Sequence, residues 1–133
     1  MAKKKTQKYW KNKIDKVYHE YIRRRDCDND SGMTQCVTCK KHVHFTECDG
    51  GHFIGRQYLS TRYDERNTYA QCRKCNRFEY GRQYEFSLFL GEELAQELLT
   101  KSRQTIQWCD AEWQEIFELY KTKLAQVKKN QIF

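Results

Sequence analysis

The 133-residue chain carries 25 Lys and Arg against 18 Asp and Glu, with seven cysteines and no proline. That length admits one modest core, which a bound metal would help to hold. A formal charge of +7 favours a polyanionic partner such as nucleic acid.

No stretch approaches the ~18–20 apolar residues of a membrane helix, and the basic start "MAKKKTQKYW" has no apolar run behind it. A soluble protein of the cytoplasm is expected. In a reducing compartment an odd number of cysteines argues against a disulfide framework and for metal binding. The charge is concentrated at the front. Residues 1–26 hold ten basic and three acidic side chains, residues 27–83 nine and seven, and residues 84–133 six and eight. A phosphate-gripping surface is therefore expected in the N-terminal and central parts, with the C-terminal part packing or pairing.

In chain order, Trp10, Ile14, Val17, Tyr18, Tyr21 and Ile22 recur at helical spacing and predict an amphipathic helix over 7–26 with a Lys/Arg-rich outer face. "DCDNDSGMTQ" reads as a loop. "QCVTCKKHVHFTECDGGHFI" is turn-rich and partly alternating, which predicts a β-hairpin. "GRQYLSTRYDERNT" reads as a basic, irregular segment, and "YAQCRKCNRFEYG" as a second cysteine turn leading into a short helix that ends near Gly81. "YEFSLFLGEELAQELLTKSRQ" predicts one or two helices broken near Gly91. In the last segment Asp110 is a good N-cap, and Trp113, Ile116, Phe117, Tyr120, Leu124 and Val127 form an apolar stripe suited to a core or a dimer interface. These elements divide the chain into a basic N-terminal helix (1–30), a central unit (31–90) and a C-terminal helical extension (91–133).

The strongest local signal is the pair Cys36-x-x-Cys39 and Cys72-x-x-Cys75. Thiolates two residues apart in a turn converge on one metal at about 2.3 Å, and two such pairs complete the tetrahedral shell of a structural Zn²⁺. No βαβ pattern surrounds either pair, so a redox dithiol is a poor reading. His42 and His44 stand too close together for an ordinary finger and read as hairpin residues, while Cys27, Cys48 and Cys109 read as small apolar fillers. Thirty-two residues separate Cys39 from Cys72, more than the ~15–20 of a zinc ribbon. A closed zinc site has no open position for catalysis, so its task is to hold rigid whatever lies in that insertion.

The insertion contains "GGHFIGRQYLSTRYDERNTYAQCRKCNRFEYG". Cys-x-x-Cys, Gly-Gly-His-Phe, an Asn and then Cys-x-x-Cys-Asn resembles the HNH nucleases, whose fold is a ββα-metal motif. Asn67 follows His52 by fifteen residues and Asn76 follows Asn67 by nine, intervals similar to the family's. The whole string resembles the NinG or Rap family of phage recombination proteins, closely over residues 33–90. That resemblance implies an α+β, zinc-clamped HNH-like core between the flanking helices. It also implies a structure-specific endonuclease of branched DNA such as Holliday junctions and D-loops, in the host cytoplasm. It assigns His52 as the general base, Asn67 as the group that orients it, and Asn76 as a ligand of a divalent cation, Mg²⁺ or Mn²⁺.

These roles agree with what the side chains can do. A neutral imidazole takes a proton from water near pH 7, and a carboxamide either ligates a hard cation or fixes a histidine tautomer. Taken singly, a histidine after two glycines is a turn residue, and each asparagine a turn or cap; joint spacing inside the insertion lifts all three. Arg56, Arg62, Arg66, Arg73 and Arg77 lie nearby in sequence to grip phosphates, joined by Lys11, Arg23 and Arg24 of the first helix. One position departs from the common HNH pattern. Gly51 stands where an acid or a second histidine ligates the metal, leaving Asp49, Asp64, Glu85 or His52 itself to complete the shell. The competing expectation is a zinc-stabilised DNA-binding module without catalysis. A homodimer would supply two sites for opposing strands.

Overall fold

A computed structural model describes residues 3–133. In chain order the elements are α1 (Gln7–Arg25), β1 (Met33–Gln35), β2 (His42–His44), β3 (Cys48–His52), α2 (Leu59–Arg62), β4 (Thr68–Cys72), α3 (Gln83–Leu90), α4 (Glu92–Ser102) and α5 (Asp110–Lys129). A π-helical turn, Lys74–Phe78, follows β4. The fold is α+β, with two small antiparallel ribbons set against helices.

The first helix forms where its apolar period predicts. Thr6 caps it, its hydroxyl accepting from the Tyr9 backbone N–H at 3.1 Å, and Arg23, Arg24 and Arg25 suit the negative end of the helix dipole. Trp10, Ile14, Tyr18 and Ile22, each four residues after the last, are all buried. They meet Trp113 and Tyr120 of α5 and Tyr63 of the central loop in one cluster. The α5 stripe is thus used inside the chain, against α1. Tyr18 shows how this layer meets the strands. It is fully buried, and its hydroxyl lies 2.8 Å from Thr68 Oγ1 on β4 and 3.1 Å from the Asp64 carbonyl. Burial holds its phenol well above the usual tyrosine range.

The start of α5 corrects one expectation. Its N-cap is Cys109, not Asp110. The Asp110 carboxylate instead accepts from the Lys5 backbone N–H and the Trp10 indole N–H, both at 3.0 Å. The two helices begin side by side, and a tertiary partner takes the carboxylate that local capping would use.

The ribbons are too short to stand alone. β1 and β2 pair with Thr34 opposite Val43, and the first cysteine turn joins them. β3 and β4 pair from Cys48 opposite Cys72 to His52 opposite Thr68. Residues 53–67 link these two strands and contain α2, so part of the segment read as irregular is helical. Gly91, at φ 87°, separates α3 from α4 where the break was expected. Among the described residues no helix is long and apolar enough to cross a membrane.

Candidate functional site

The two cysteine turns come from different ribbons and meet. The Sγ atoms of Cys36, Cys39, Cys72 and Cys75 all lie within 4.8 Å of one another. Cys39 Sγ and Cys72 Sγ are 3.8 Å apart. A tetrahedron with 2.3 Å metal–sulfur bonds has an edge of about 3.8 Å, so the sulfurs fit a zinc ion. In the first turn Lys40 takes a left-handed conformation, φ 67°, and its N–H returns to the Cys36 carbonyl at 3.0 Å. In the second, the Cys75 N–H points at Cys72 Sγ at 3.5 Å. Burial pushes the Cys72 and Cys75 thiols up, Cys75 to about 12. At Cys36 the Thr38 hydroxyl and nearby backbone N–H groups outweigh burial and bring it to about 6. A soft four-sulfur shell with one thiol already inclined to ionise suits zinc, with protons released on binding. Of the other cysteines, Cys27 and Cys48 are buried as expected of fillers, whereas Cys109 is exposed.

Beyond β3 from the clamp lies a cavity of about 830 Å³, walled by α1, β3 and the turn after β4. His52, the last residue of β3, lines it. Its Nε2 sits 3.1 Å from the Arg62 carbonyl. A carbonyl only accepts, so Nε2 carries the proton and Nδ1 keeps its lone pair. Among the described residues Nδ1 has no hydrogen-bond partner. Burial first, then the neighbouring His19 and the charges of Arg56 and Arg62, push the imidazole down to about 3. It is neutral at pH 7.

Asn67 does not meet that ring through its side chain. It is fully buried, with Oδ1 accepting from the Ile54 N–H at 2.7 Å and Nδ2 donating to the Ile54 carbonyl at 3.0 Å and the Thr61 carbonyl at 3.2 Å. The expected bond to the imidazole is replaced by three bonds to backbone. They fix both ends of the loop whose Arg62 carbonyl meets His52, so any effect of Asn67 on His52 passes through that loop.

Asn76 and Asp49 line the cavity together, and Asn76 Nδ2 donates to Asp49 Oδ2 at 2.9 Å. Arg77 grips both oxygens of Asp49, each at 2.9 Å. Burial raises the Asp49 carboxyl, but these hydrogen bonds and the Arg77 and Arg73 charges prevail and hold it below the usual carboxylate range. A carboxylate and a carboxamide are donor types that Mg²⁺ or Mn²⁺ takes, but both Asp49 oxygens are held by protein donors here, so a cation would have to displace Arg77 or Asn76. Asp64 and Glu85 stand outside the cavity, Asp64 paired with Arg66 and Lys101 and Glu85 4.0 Å from Arg82. Gly51 has a steric cause. A Cβ there would lie 2.1 Å from Oε1 and 2.9 Å from Cβ of Gln71, a fully buried side chain on β4.

The expected cationic residues divide evenly. Arg23, Arg56, Arg73 and Arg77 line the cavity. Arg62 does not. It is buried, bonded to Asp15 at 2.7 Å and to the Arg56 carbonyl at 2.8 Å, and braces the loop. Arg66 pairs with Asp64 and Glu97, and Arg24 with Glu20 and Gln131. Lys11 is only partly exposed and lies elsewhere on α1.

Two cavity residues carry no local motif. His19 of α1 meets the His52 ring edge-on at 5.6 Å, and its buried Nε2 has no hydrogen-bond partner among the described residues. Burial lowers its pKa. Its one sequence signal is the polar row Asp15, His19, Arg23 beside the apolar stripe. Tyr80, at the cavity rim, has none.

Two ribbons joined at a four-cysteine cluster that fits a metal ion, with a basic cavity beside them and a helical layer behind, define the class: a small α+β protein with a cysteine clamp. Residues 1–130 match the family described as Bacteriophage Lambda NinG protein, and the chain belongs to this phage family. Protein ninG of Escherichia phage 933W is 25% identical over 130 residues, covering 95% of this chain and 62% of that protein. Protein ninG of Salmonella phage P22 is 25% identical over 128 residues, covering 93% and 60%. The chain therefore spans about three-fifths of the length of these curated relatives. No solved structure matches it.

Proposed function

We propose that the chain is a metal-dependent, structure-specific DNA endonuclease of the HNH type, acting on branched DNA such as Holliday junctions and D-loops. The observation that carries this reading is the lone pair of His52. Its Nε2 is committed to the Arg62 carbonyl, which leaves the lone pair on Nδ1, and the residue lines a cavity that also holds Asp49, Asn76 and four arginines. The β3–β4 ribbon followed by the turn bearing Asn76 supports the likeness to an HNH core.

In this reading Arg23, Arg56, Arg73 and Arg77 seat a phosphate, and His52 Nδ1 takes the proton of the attacking water. A phosphate among those arginines raises the proton affinity of His52 from its depressed value, because opposite charge favours the imidazolium. Asp49 and Asn76 would hold the divalent cation, which would supply charge neutralisation at the scissile phosphate and the departing 3′ oxygen. Asn67 keeps the Arg62 carbonyl in place, and the cysteine clamp fixes β3 against β4. Two active sites are needed to cut opposing strands, and a homodimer supplies them; Leu88, Phe89 and Leu99 of α3 and α4 remain exposed for such a contact.

The test is incubation of the purified chain with a four-way junction, a fork and a linear duplex in Mg²⁺ or Mn²⁺. Cutting of branched DNA is expected, reduced about 10²–10⁴-fold in His52→Ala while binding survives. One observation favours a non-catalytic, zinc-stabilised DNA-binding module instead: both Asp49 oxygens are already held by protein donors and Gly51 adds no ligand. Binding without cutting in either metal supports that module and removes the endonuclease.

A further inference from the structure

The large apolar residue most exposed among those described is Tyr80, at 90%. Its backbone is in the left-handed region, at φ 54°, followed by Gly81 at φ 80° and Arg82 at φ 46°. A bulky residue takes that conformation only where its surroundings over-determine it. Here they do. The Gly81 N–H donates to the Cys75 carbonyl at 2.8 Å, and the Gly81 carbonyl accepts from the fully buried Gln71 side chain at 2.8 Å. The Arg82 N–H returns to the Glu79 carbonyl at 3.1 Å. The turn is therefore tied to the second cysteine pair and to β4.

Nothing in the fold uses the ring. Among the described residues its hydroxyl makes no hydrogen bond and its ring meets no other aromatic ring or cation, in keeping with its 90% exposure. Packing does not explain a strained aromatic held in water. Its place does. Tyr80 lines the same cavity as His52, Arg73 and Arg77. A flat apolar face beside several guanidinium groups complements a nucleotide, which offers a π-face on an anionic backbone. Within a duplex a base shows neighbouring protein only its edge unless the stack is opened at a cost of a few kcal/mol, so a ring stacks most readily where the strand is unpaired.

We propose that Tyr80 is a stacking platform for an unpaired base next to the phosphate held at the cavity. The platform makes unpaired strand at a branch the preferred substrate element. It rests on the nucleic-acid-binding part of the proposed function and not on cutting.

The test is fluorescence anisotropy without added divalent cation, using a single strand, a fork with an unpaired arm and a blunt duplex of equal length. The intact chain is expected to favour the single strand and the fork over the duplex. Tyr80→Gly is expected to weaken binding to these two about tenfold, leave the duplex unchanged, and match or raise the thermal midpoint, because glycine relieves the left-handed strain. Tyr80→Trp is expected to retain the preference. A Tyr80→Gly variant that keeps full affinity for unpaired strand, or that loses all three probes equally, overturns the platform while leaving DNA binding in place. An intact chain that binds none of the probes overturns the platform and the DNA-directed function together.

Discussion

The sulfur clamp and the basic cavity share the β3–β4 ribbon but are built in opposite ways. The clamp is made of two short turns, each with its ligands two residues apart, and needs from the rest of the fold only that the turns meet. The cavity draws His19 and Arg23 from α1, Asp49 and His52 from β3, Arg56 from the loop, and Asn76, Arg77 and Tyr80 from beyond β4. Four sulfurs around one ion hold themselves together, whereas a cluster of cations and buried imidazoles repels itself and has to be held by its surroundings. Clamp variants should therefore fail as a whole, and cavity variants by degrees.

The largest expected effect tests that difference directly. The intact chain should hold about one zinc, and Cys75→Ser should lose both zinc and folded structure, because a structural zinc contributes on the order of 10 kcal/mol or more. Metal analysis with circular dichroism checks this; a zinc-free chain that stays folded breaks the comparison at its stronger side. Next comes Asn67→Ala. It removes the side chain that satisfies three backbone groups, with an expected loss of about 1–3 kcal/mol. Zinc content should stay unchanged, with any nuclease activity falling alongside. Zinc loss in this variant would show the two regions to be one cooperative unit.

A smaller effect should appear on acidification. His52 in the folded chain stands at about 3, below the ordinary histidine value of about 6.5. Between those values the unfolded chain binds a proton that the folded chain refuses. Stability is therefore complete above about pH 6.5 and falls as pH drops toward 3, by about 1.4 kcal/mol per unit for one such histidine. His19 shifts in the same direction. Urea unfolding at pH 7 and 5.5 should show a shallower acid loss in His52→Gln than in the intact chain, zinc release adding equally to both. Equal slopes would mean that His52 is not held neutral by burial. The smallest effect belongs to Arg66→Ala, whose own side chain is half exposed, whose pair with Glu97 lies in solvent, and whose partner Asp64, though shielded, keeps Lys101. A stability change below about 1 kcal/mol is expected, with DNA affinity unchanged because the side chain does not line the cavity.

The helices, the cysteine pairs and the break at Gly91 were legible in the residues, because each depends on neighbours a few positions away. That His52 and Asn76 belong together was legible as spacing within one segment, whereas the sequence left open whether Asp49, Asp64 or Glu85 would join them. Asn67 shows the limit. Its position in the chain drew attention, but whether its amide would turn to a ring or to the Ile54 backbone depended on the path of residues 53–67 in space. Arg62 and Arg73 look alike in sequence, yet one is buried against Asp15 and the other faces the cavity. His19 looked like part of a solvated helix face until β3 was laid across it.

By itself, then, the sequence determined the periodic helices, the two ligand pairs of the clamp and the front-loaded positive charge, since spacing and residue type are enough to set local geometry and donor chemistry. Tertiary structure alone decided which cations face the cavity, which imidazole nitrogen keeps its lone pair, and that a tyrosine ring stands in water at the rim. Those outcomes depend on desolvation and on hydrogen-bond partners brought together from distant parts of the chain.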